Sequence, residues 1–180
     1  MSLAYIALGA NLPSPAGAPE ATLAAAVARL AALGRVAARS SLYSTAPVGF
    51  RGQPRFVNAV IALETLLPPR DLLNILLAIE LQFGRDRNGS PHNGPRTLDL
   101  DILLHGDLVL SEFDLEIPHP RLRERAFVLV PLHEIAPDLR DPRSGKTIAE
   151  LRDALGLSSA ELSASAMRME SPFWRPDGVV

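Results

Sequence analysis

The sequence predicts an α+β fold, a ferredoxin-like βαββαβ sandwich in which helices pack on a mostly antiparallel sheet. Three observations support this fold class. Four strand-like segments alternate with two helical segments in that order, and Gly and Pro mark the connections between them. A third is size: 180 residues with 47% apolar content can bury one core. We expect one domain over residues 1–156 and a tail over 157–180 that packs on it or frays.

The first elements come directly from hydrophobic patterning. Residues 3–8 form a short apolar run that predicts a buried strand ended by Gly9. Residues 20–33 are rich in Ala and Leu at helical spacing, and Gly34 is typical of a helix end. Residues 36–44 then predict a second strand.

A Gly- and Pro-rich loop over 46–54 leads into a long predicted strand over 55–65. In a strand, side chains two residues apart point to the same face. Phe56 and Asn58 therefore share a face of this third strand. Asn58 is notable because a polar amide in an apolar strand must find hydrogen-bond partners, and a ligand can supply them.

The second half begins with a predicted helix from Pro68 to Gly84, followed by a polar loop over 85–95. If helices cover one face of the sheet, we expect the other face to be free to carry a site. The remaining predicted elements are a strand over 97–104, a helix over 123–137 interrupted by Pro131, and a short helix over 147–155.

Composition excludes several classes of function. The chain carries 18 Lys and Arg against 20 Asp and Glu, a net charge of −2, which argues against coating nucleic acid or an anionic membrane. Cysteine is absent, so disulfides, thiolate metal sites and a cysteine nucleophile are excluded. No apolar run reaches the roughly 18 residues of a membrane span, and the start lacks the basic region of a signal peptide. We expect a cytoplasmic protein.

An acidic pair is the strongest local signal. Asp99 and Asp101 lie two apart in a predicted strand and project from the same face, just after Arg96. Two carboxylates suit Mg²⁺, and two metal ions can clamp a transferring phosphoryl group. The alternative is a solvent-facing acidic stripe, which the rarity of Asp in strands disfavours.

Arginines cluster on both sides of the acidic pair in the sequence. Carboxylates that hold a metal, together with guanidinium groups that hold phosphate oxygens, are typical of a metal–polyphosphate site. The alternative for each arginine alone is a solvated side chain. The first cluster is Arg85, Arg87 and Arg96, and the second, after Pro118-His119-Pro120, is Arg121, Arg123 and Arg125.

Three further residues suit a flat heterocycle. The rings of Phe56 and Phe127 can stack on such a ligand, and the Asn58 amide can read a donor–acceptor edge. Core packing is the alternative for both phenylalanines. By contrast, Gly145-Lys146-Thr147 resembles the end of a phosphate-binding P-loop, but Arg140 stands where its first glycine would be. We interpret that segment as a turn.

Five segments, in order from about residue 3 to about 155, resemble the 6-hydroxymethyl-7,8-dihydropterin pyrophosphokinase family. The resemblance implies a ferredoxin-like pyrophosphokinase domain over 1–156 that transfers the diphosphate of ATP to the pterin hydroxymethyl group in folate biosynthesis, with two Mg²⁺ ions. We expect a monomer, with a dimer as the alternative. The segments are AYIALGANL, YSTAPVGFRGQPRFVNAV, ELQFGRDR, GPRTLDLDILL and IPHPRLRERAFVLVPL.

The resemblance also implies roles for individual residues. The metal ligands would be Asp99 and Asp101, and these would act in catalysis together with Arg85 and Arg96. The ATP-binding residues would be Glu80, Arg85, Arg87, Arg96, Ile102, His119 and Arg125. The pterin-binding residues would be Thr45, Pro47, Val48, Phe56, Asn58 and Phe127.

The loop before GPRT departs from the family pattern. Where some family members carry a basic residue and a tryptophan before GPRT, His92 and Asn93 stand here. The loops over 46–54 and 85–95 are candidate lids.

One rival function is a ferredoxin-like RNA-binding module, but the aromatic octapeptide of that class is absent. The other is a catalytically inactive homologue, against which the acidic pair argues.

Overall fold

The computed structural model describes residues 1–48, 52–87 and 94–176. A 3₁₀ turn covers Leu122–Glu124. The strands are β1 (Ser2–Ala10), β2 (Gly34–Arg39), β3 (Leu42–Thr45), β4 (Phe56–Thr65), β5 (Asp99–His105), β6 (Leu110–Ser111), β7 (Glu116–Ile117) and β8 (Ala166–Met169). The helices are α1 (Pro19–Leu30), α2 (Pro69–Gln82), α3 (Ala126–Ile135), α4 (Ile148–Asp153) and α5 (Ser159–Ser165).

The main sheet has the order β5-β1-β4-β3-β8, with β2 also paired to β4, and every pair is antiparallel. The predicted α+β class is confirmed. The predicted strand over 36–44 is two strands, because the chain breaks register at Ser40 and Ser41. Ser40 keeps both pieces on β4: its N–H donates to the Val60 carbonyl at 2.9 Å, and its Oγ accepts the Val60 N–H at 3.0 Å.

Helices lie on both faces of the sheet. Helices α1 and α2 pack on one face, against a core that includes Ile6 and Ile61, while α3 and α4 pack on the other, against Val60 and Leu104. The expectation of one free face is therefore wrong. Val60 and its neighbour Ile61 are both fully buried, because both faces of the central strand are apolar and each needs a cover. The second face stays open only at one end.

The predicted helix over 123–137 begins later and ends earlier. Pro131 lies inside α3 and lacks the N–H that would bond to the carbonyl of Phe127, one turn earlier. The Gly145-Lys146-Thr147 segment is a turn, as expected. Thr147 caps α4: its Oγ1 accepts the Glu150 N–H at 3.1 Å, and the Glu150 carboxylate accepts the Thr147 N–H at 2.7 Å.

The C-terminal segment packs on the body. Strand β8 extends the main sheet by pairing with β3, and Trp174 is 4% exposed. Its indole N–H donates to the Ser40 carbonyl at 2.7 Å. Within the described ranges, no helix is both long enough and apolar enough to cross a membrane.

Asp141 fixes the turn before α4 against the 3₁₀ turn. Its carboxylate is fully buried and accepts hydrogen bonds from Arg123 Nε at 2.7 Å and Ser144 Oγ at 2.5 Å. Burial opposes ionisation, but these donors outweigh it and hold the pKa of Asp141 below its ordinary value.

We expect Asp141→Asn to destabilise the fold by about 2 kcal/mol, because a charged acceptor of three hydrogen bonds, the third from the Arg143 N–H, is lost. Because the pKa of Asp141 is lower in the folded protein than in the unfolded one, its carboxylate stabilises the fold fully at pH values above the unfolded-state pKa, near 4. That contribution is lost as the pH falls through the folded-state pKa. Thermal melts should show the largest difference from wild type near pH 7 and a shrinking one below about pH 4. Asp138→Asn, at an exposed position, is the control; equal losses in both variants would contradict this role.

Candidate active site

A cavity of about 520 Å³ lies at the open end of the second sheet face, beside the start of α3. Strands β1, β4 and β5 form its floor. Most of the residues singled out in the sequence line it together: Thr45, Val48, Phe56, Asn58, Arg85, Arg87, Arg96, Asp99, Asp101, His119, Arg125 and Phe127.

The two aspartates lie side by side on β5 but differ in their surroundings. Asp99 is paired with guanidinium groups, its Oδ2 accepting from Arg96 Nη1 at 2.6 Å and its Oδ1 lying 3.7 Å from Arg85 Nη2. From the residues that the structure describes, Asp101 accepts no guanidinium hydrogen bond. Burial in the cavity floor, and secondarily the negative charge of Asp99, raise its pKa to about 6. An unmatched carboxylate next to a second carboxylate is an environment that a cation stabilises.

The donor set suits a cation that brings its own remaining ligands. The described residues contain no cluster of three or more His, Cys, Asp or Glu side chains arranged for a metal. Two carboxylates alone are too few for a closed structural site. They fit Mg²⁺, which commonly takes one or two carboxylates and completes its shell with water and substrate phosphates.

Five arginines surround this acidic pair: Arg85, Arg87, Arg96, Arg121 and Arg125. Burial, together with the repulsion of Arg121, lowers the pKa of Arg125. The Nε groups of Arg85 and Arg96 are buried and have no hydrogen-bond partner within the described structure. Crowded guanidinium groups with unused donors are suited to bind a polyanion.

His119 is neutral in this environment. Burial, then the nearby Arg125 and Arg121, lower its pKa to about 4. Its Nδ1 accepts the backbone N–H of Arg121 at 3.1 Å, so the proton of the neutral ring is on Nε2. Nε2 lies 4.0 Å from Asp101 Oδ2 and can donate a hydrogen bond into the cavity.

The opposite half of the cavity is aromatic. The Arg96 guanidinium lies over the Phe56 ring at 5.1 Å, and that of Arg125 lies over the Phe127 ring at 5.4 Å. Asn58 donates from Nδ2 to Thr45 Oγ1 at 2.7 Å. This bond fixes the orientation of the amide and leaves its second N–H and its Oδ1 for other partners.

Gly9 separates the two halves. It is paired with Asn58 on one side and with Asp99 on the other, so the three residues form one row across β4, β1 and β5. A Cβ at position 9 would lie 2.9 Å from Asn58 Oδ1, closer than real contacts allow. The sequence alone predicts only that Gly9 ends a strand.

Three predicted site residues do not reach the cavity wall. Glu80 is 1% exposed, and its carboxylate is used internally: Oε1 accepts the Leu100 N–H at 2.8 Å, and Oε2 accepts from Arg87 Nε at 2.9 Å. Glu80 thus fixes β5 and Arg87. Ile102 points into the core on the α1 and α2 side, since it alternates with Asp101. Pro47 is half-buried beside the wall.

Asn11 is a site-supporting residue that the sequence analysis missed. Its Oδ1 accepts the Arg96 N–H at 2.8 Å, and its Nδ2 donates to Gln53 Oε1 at 2.9 Å and to the Pro54 carbonyl at 3.0 Å. It therefore joins Arg96 to the segment before β4. The only signal in the sequence for this role is that Asn11 directly follows an apolar strand. Arg121, a cavity-lining residue, was noted only as part of a cluster.

Some predictions fall outside the described residues. His92 and Asn93 lie within 88–93, and residues 49–51 belong to the other proposed lid. Both candidate lids are therefore only partly described.

Comparisons with known proteins agree with one another. The family model described as 7,8-dihydro-6-hydroxymethylpterin-pyrophosphokinase (HPPK) matches residues 5–137. The chain is 48% identical over 157 residues to the 2-amino-4-hydroxy-6-hydroxymethyldihydropteridine pyrophosphokinase of Pseudomonas aeruginosa, covering 87% of this chain and 94% of that protein. It is 44% identical over 163 residues to the protein of that name from Methylorubrum extorquens, covering 89% and 98%.

A solved structure supports the fold. Plasmodium falciparum HPPK-DHPS aligns with a TM-score of 0.70 at 15% identity, covering 93% of this chain and 46% of that longer chain. This chain therefore spans about half of that protein, and the likeness concerns the fold alone. With the family model matching most of the chain, and relatives nearly half identical along almost their whole length, the chain belongs to the 7,8-dihydro-6-hydroxymethylpterin-pyrophosphokinase family.

Proposed function

We propose that the protein transfers the diphosphate of ATP to the hydroxymethyl oxygen of 6-hydroxymethyl-7,8-dihydropterin, with release of AMP, in tetrahydrofolate biosynthesis. Family membership supports this activity. The observation that carries it is the division of one cavity into two halves, an aromatic and amide half around Asn58 and an acidic and arginine-rich half around Asp99, separated by Gly9.

The aromatic half is proposed to bind the pterin. Phe56 and Phe127 offer flat faces for a bicyclic ring, and such stacking adds to the burial of apolar area. Asn58 is buried at the cavity floor with its amide orientation fixed by Thr45. Its free Oδ1 can accept from a ring N–H, and its second N–H can donate to a ring acceptor. A heterocycle with adjacent donors and acceptors satisfies both.

The charged half is proposed to bind the triphosphate. Arg85, Arg87, Arg96 and Arg125 would hold phosphate oxygens, and neutral His119 would donate from Nε2. Asp99 and Asp101 would hold Mg²⁺, for which we propose two ions. When bound, the metal neutralises phosphate charge and orients the transferring group.

The pterin hydroxyl oxygen would attack the β-phosphorus, forming a new O–P bond and releasing the hydroxyl proton. The bond from the β-phosphorus to the oxygen that leaves with AMP would break. Catalysis by this chain would consist of positioning and charge complementarity. Arg96 contacts both halves, since it bonds to Asp99 and covers Phe56. It is therefore placed to hold the phosphate chain against the pterin. We propose that the protein acts as a monomer, with a dimer as the alternative. We propose that it acts in the cytoplasm, where ATP is available.

The deciding experiment measures AMP release from Mg-ATP with and without 6-hydroxymethyl-7,8-dihydropterin, with the pterin diphosphate identified by mass. We expect AMP only when both substrates are present. The matched control replaces the hydroxymethyl pterin with the 6-methyl analogue, which has no attacking oxygen. A folded protein that releases no pterin-dependent AMP would contradict the proposal and favour the inactive homologue.

We expect Gly9→Ala to raise the KM for the pterin about tenfold, since the new methyl group displaces the Asn58 amide. The KM for ATP should change little. A double-mutant cycle provides the control: once Asn58 is alanine, the added methyl group meets no amide and should cost little more. Additive effects in the cycle would show that Gly9 does not act through Asn58.

A further inference from the structure

We propose that the C-terminal strand β8 positions the pterin side of the active site, acting through β3 and Thr45. This inference rests on the proposed function and assigns a part in it to a segment that the sequence analysis set apart as a tail. Residues 166–169 lie outside the residues matched by the family model, 5–137.

Strand β3 depends on β8 for more than half of its residue pairs. It is four residues long, and only Tyr43, Ser44 and Thr45 pair with β4. On its other edge, all four residues pair with β8, from Leu42 opposite Met169 to Thr45 opposite Ala166. A strand this short has little stability at a sheet edge, so its position depends on both neighbours.

The connection to the cavity passes through two contacts. Ala166 is 3% exposed and is paired with Thr45, so their side chains lie on the same face of the sheet. Thr45 Oγ1 in turn accepts the Asn58 Nδ2 hydrogen bond at 2.7 Å. A displacement of β8 at Ala166 therefore reaches the amide proposed to bind the pterin.

A second connection joins the same strands to α3, which carries Phe127. The carboxylate of Glu134 accepts the Ser41 N–H at 2.7 Å and the Tyr43 hydroxyl at 3.0 Å, and it lies 3.7 Å from Arg168 on β8. Burial, then Glu134, raise the pKa of Tyr43, so its hydroxyl stays a donor. One junction thus holds α3, β3 and β8 together beside the aromatic half of the cavity.

Trp174 anchors the segment beyond β8 and also reports on it. Its indole N–H donates to the Ser40 carbonyl, just before β3, and the Arg39 guanidinium lies 5.3 Å from its ring centre. It is the only tryptophan of the chain. Its fluorescence emission therefore reports whether the C-terminal segment is docked, because an undocked indole moves from the core into water.

The test places a charge at β8 in the full-length protein. Ala166→Asp buries a carboxylate against Thr45, whereas Met167→Asp, one residue further on, places it at a position that is 45% exposed. We expect Ala166→Asp to shift Trp174 emission to longer wavelength and to raise the KM for the pterin about tenfold. Its KM for ATP should stay within about twofold. Met167→Asp should resemble wild type in all three measurements.

A milder variant covers the case in which Ala166→Asp does not fold. Trp174→Phe keeps an aromatic ring and removes the donor to Ser40, and we expect about a threefold rise in the KM for the pterin alone. Unchanged pterin KM in an Ala166→Asp protein whose emission has shifted would overturn the inference. So would equal rises in both KM values. Loss of AMP release in wild type would instead contradict the proposed function.

Discussion

Asp101→Asn is expected to lower kcat about a thousandfold and leave the protein as stable as wild type or more so. The variant removes one of two carboxylates proposed to hold the metal, at nearly constant side-chain volume. Burial and the charge of Asp99 raise the pKa of Asp101 to about 6, so ionising it costs folding free energy. That cost is present at pH values above the folded-state pKa of Asp101 and disappears at pH values below its unfolded-state pKa, near 4. The gain in melting temperature should therefore appear above about pH 6 and vanish below about pH 4.

The control for this variant is Asp107→Asn, at an exposed position just beyond the end of β5. It removes the same charge from the chain without touching the cavity, and its turnover should equal that of wild type. Near-normal turnover in a folded Asp101→Asn protein would remove the basis for the metal assignment. Isothermal titration with Mg²⁺ and a non-hydrolysable ATP analogue gives a second, activity-independent readout, in which we expect weaker metal binding by Asp101→Asn alone.

Arg96→Ala is expected to lower kcat by about two orders of magnitude. Two interactions are lost together: the bond to Asp99 at 2.6 Å and the guanidinium over the Phe56 ring. Of the Asp99 ion pairs in residues 1–48, 52–87 and 94–176, the first loss leaves the longer 3.7 Å pairing to Arg85. The second loss opens the boundary between the two halves of the cavity. We therefore expect a smaller rise in the KM for the pterin alongside the loss in kcat.

Arg96→Lys separates charge from shape in this prediction. Lysine keeps the positive charge but cannot donate two parallel hydrogen bonds, so its kcat should fall between those of alanine and wild type. Arg35→Ala is the surface control, because Arg35 pairs with Glu64 at the protein exterior, away from the cavity. An effect of Arg96→Ala confined to the pterin KM would contradict a role at the phosphate chain.

The sequence predicted those parts of the site that depend on local periodicity. Asp99 and Asp101 were assigned to one face, and so were Phe56 and Asn58, because side chains in a strand alternate whatever the strand pairs with. The flanking arginines followed from chain proximity to the acidic pair and from the family resemblance. These residues do meet in one cavity.

What the sequence could not predict depends on contacts between distant parts of the chain. Asn11 holds the backbone of Arg96 from 85 positions away, and no local pattern reports such a bond. Glu80 was expected at ATP on the family resemblance alone. The structure instead buries it, since α2 packs against β5 and the Leu100 N–H needs an acceptor.

The C-terminal strand illustrates the same limit. The sequence of β8, Ala166–Met169, has no alternation of apolar and polar residues strong enough to predict a strand. It becomes one because β3 offers an unpaired edge, which is a property of the folded sheet. The break between β2 and β3 was missed for a similar reason, as it depends on Ser40 bonding to Val60.

The row formed by Asp99, Gly9 and Asn58 fixes the separation of the two proposed anchors, one for phosphate and one for pterin. Neighbouring strands in a sheet lie about 4.8 Å apart, a spacing set by main-chain hydrogen bonds and nearly independent of side chains. The proposed anchors for phosphate and pterin are two such steps apart, with only a glycine hydrogen between them. Substitutions elsewhere can change how tightly each substrate is held. The separation of these two proposed anchors is set by the β-sheet itself, so we expect it to vary little between sequences that keep this register.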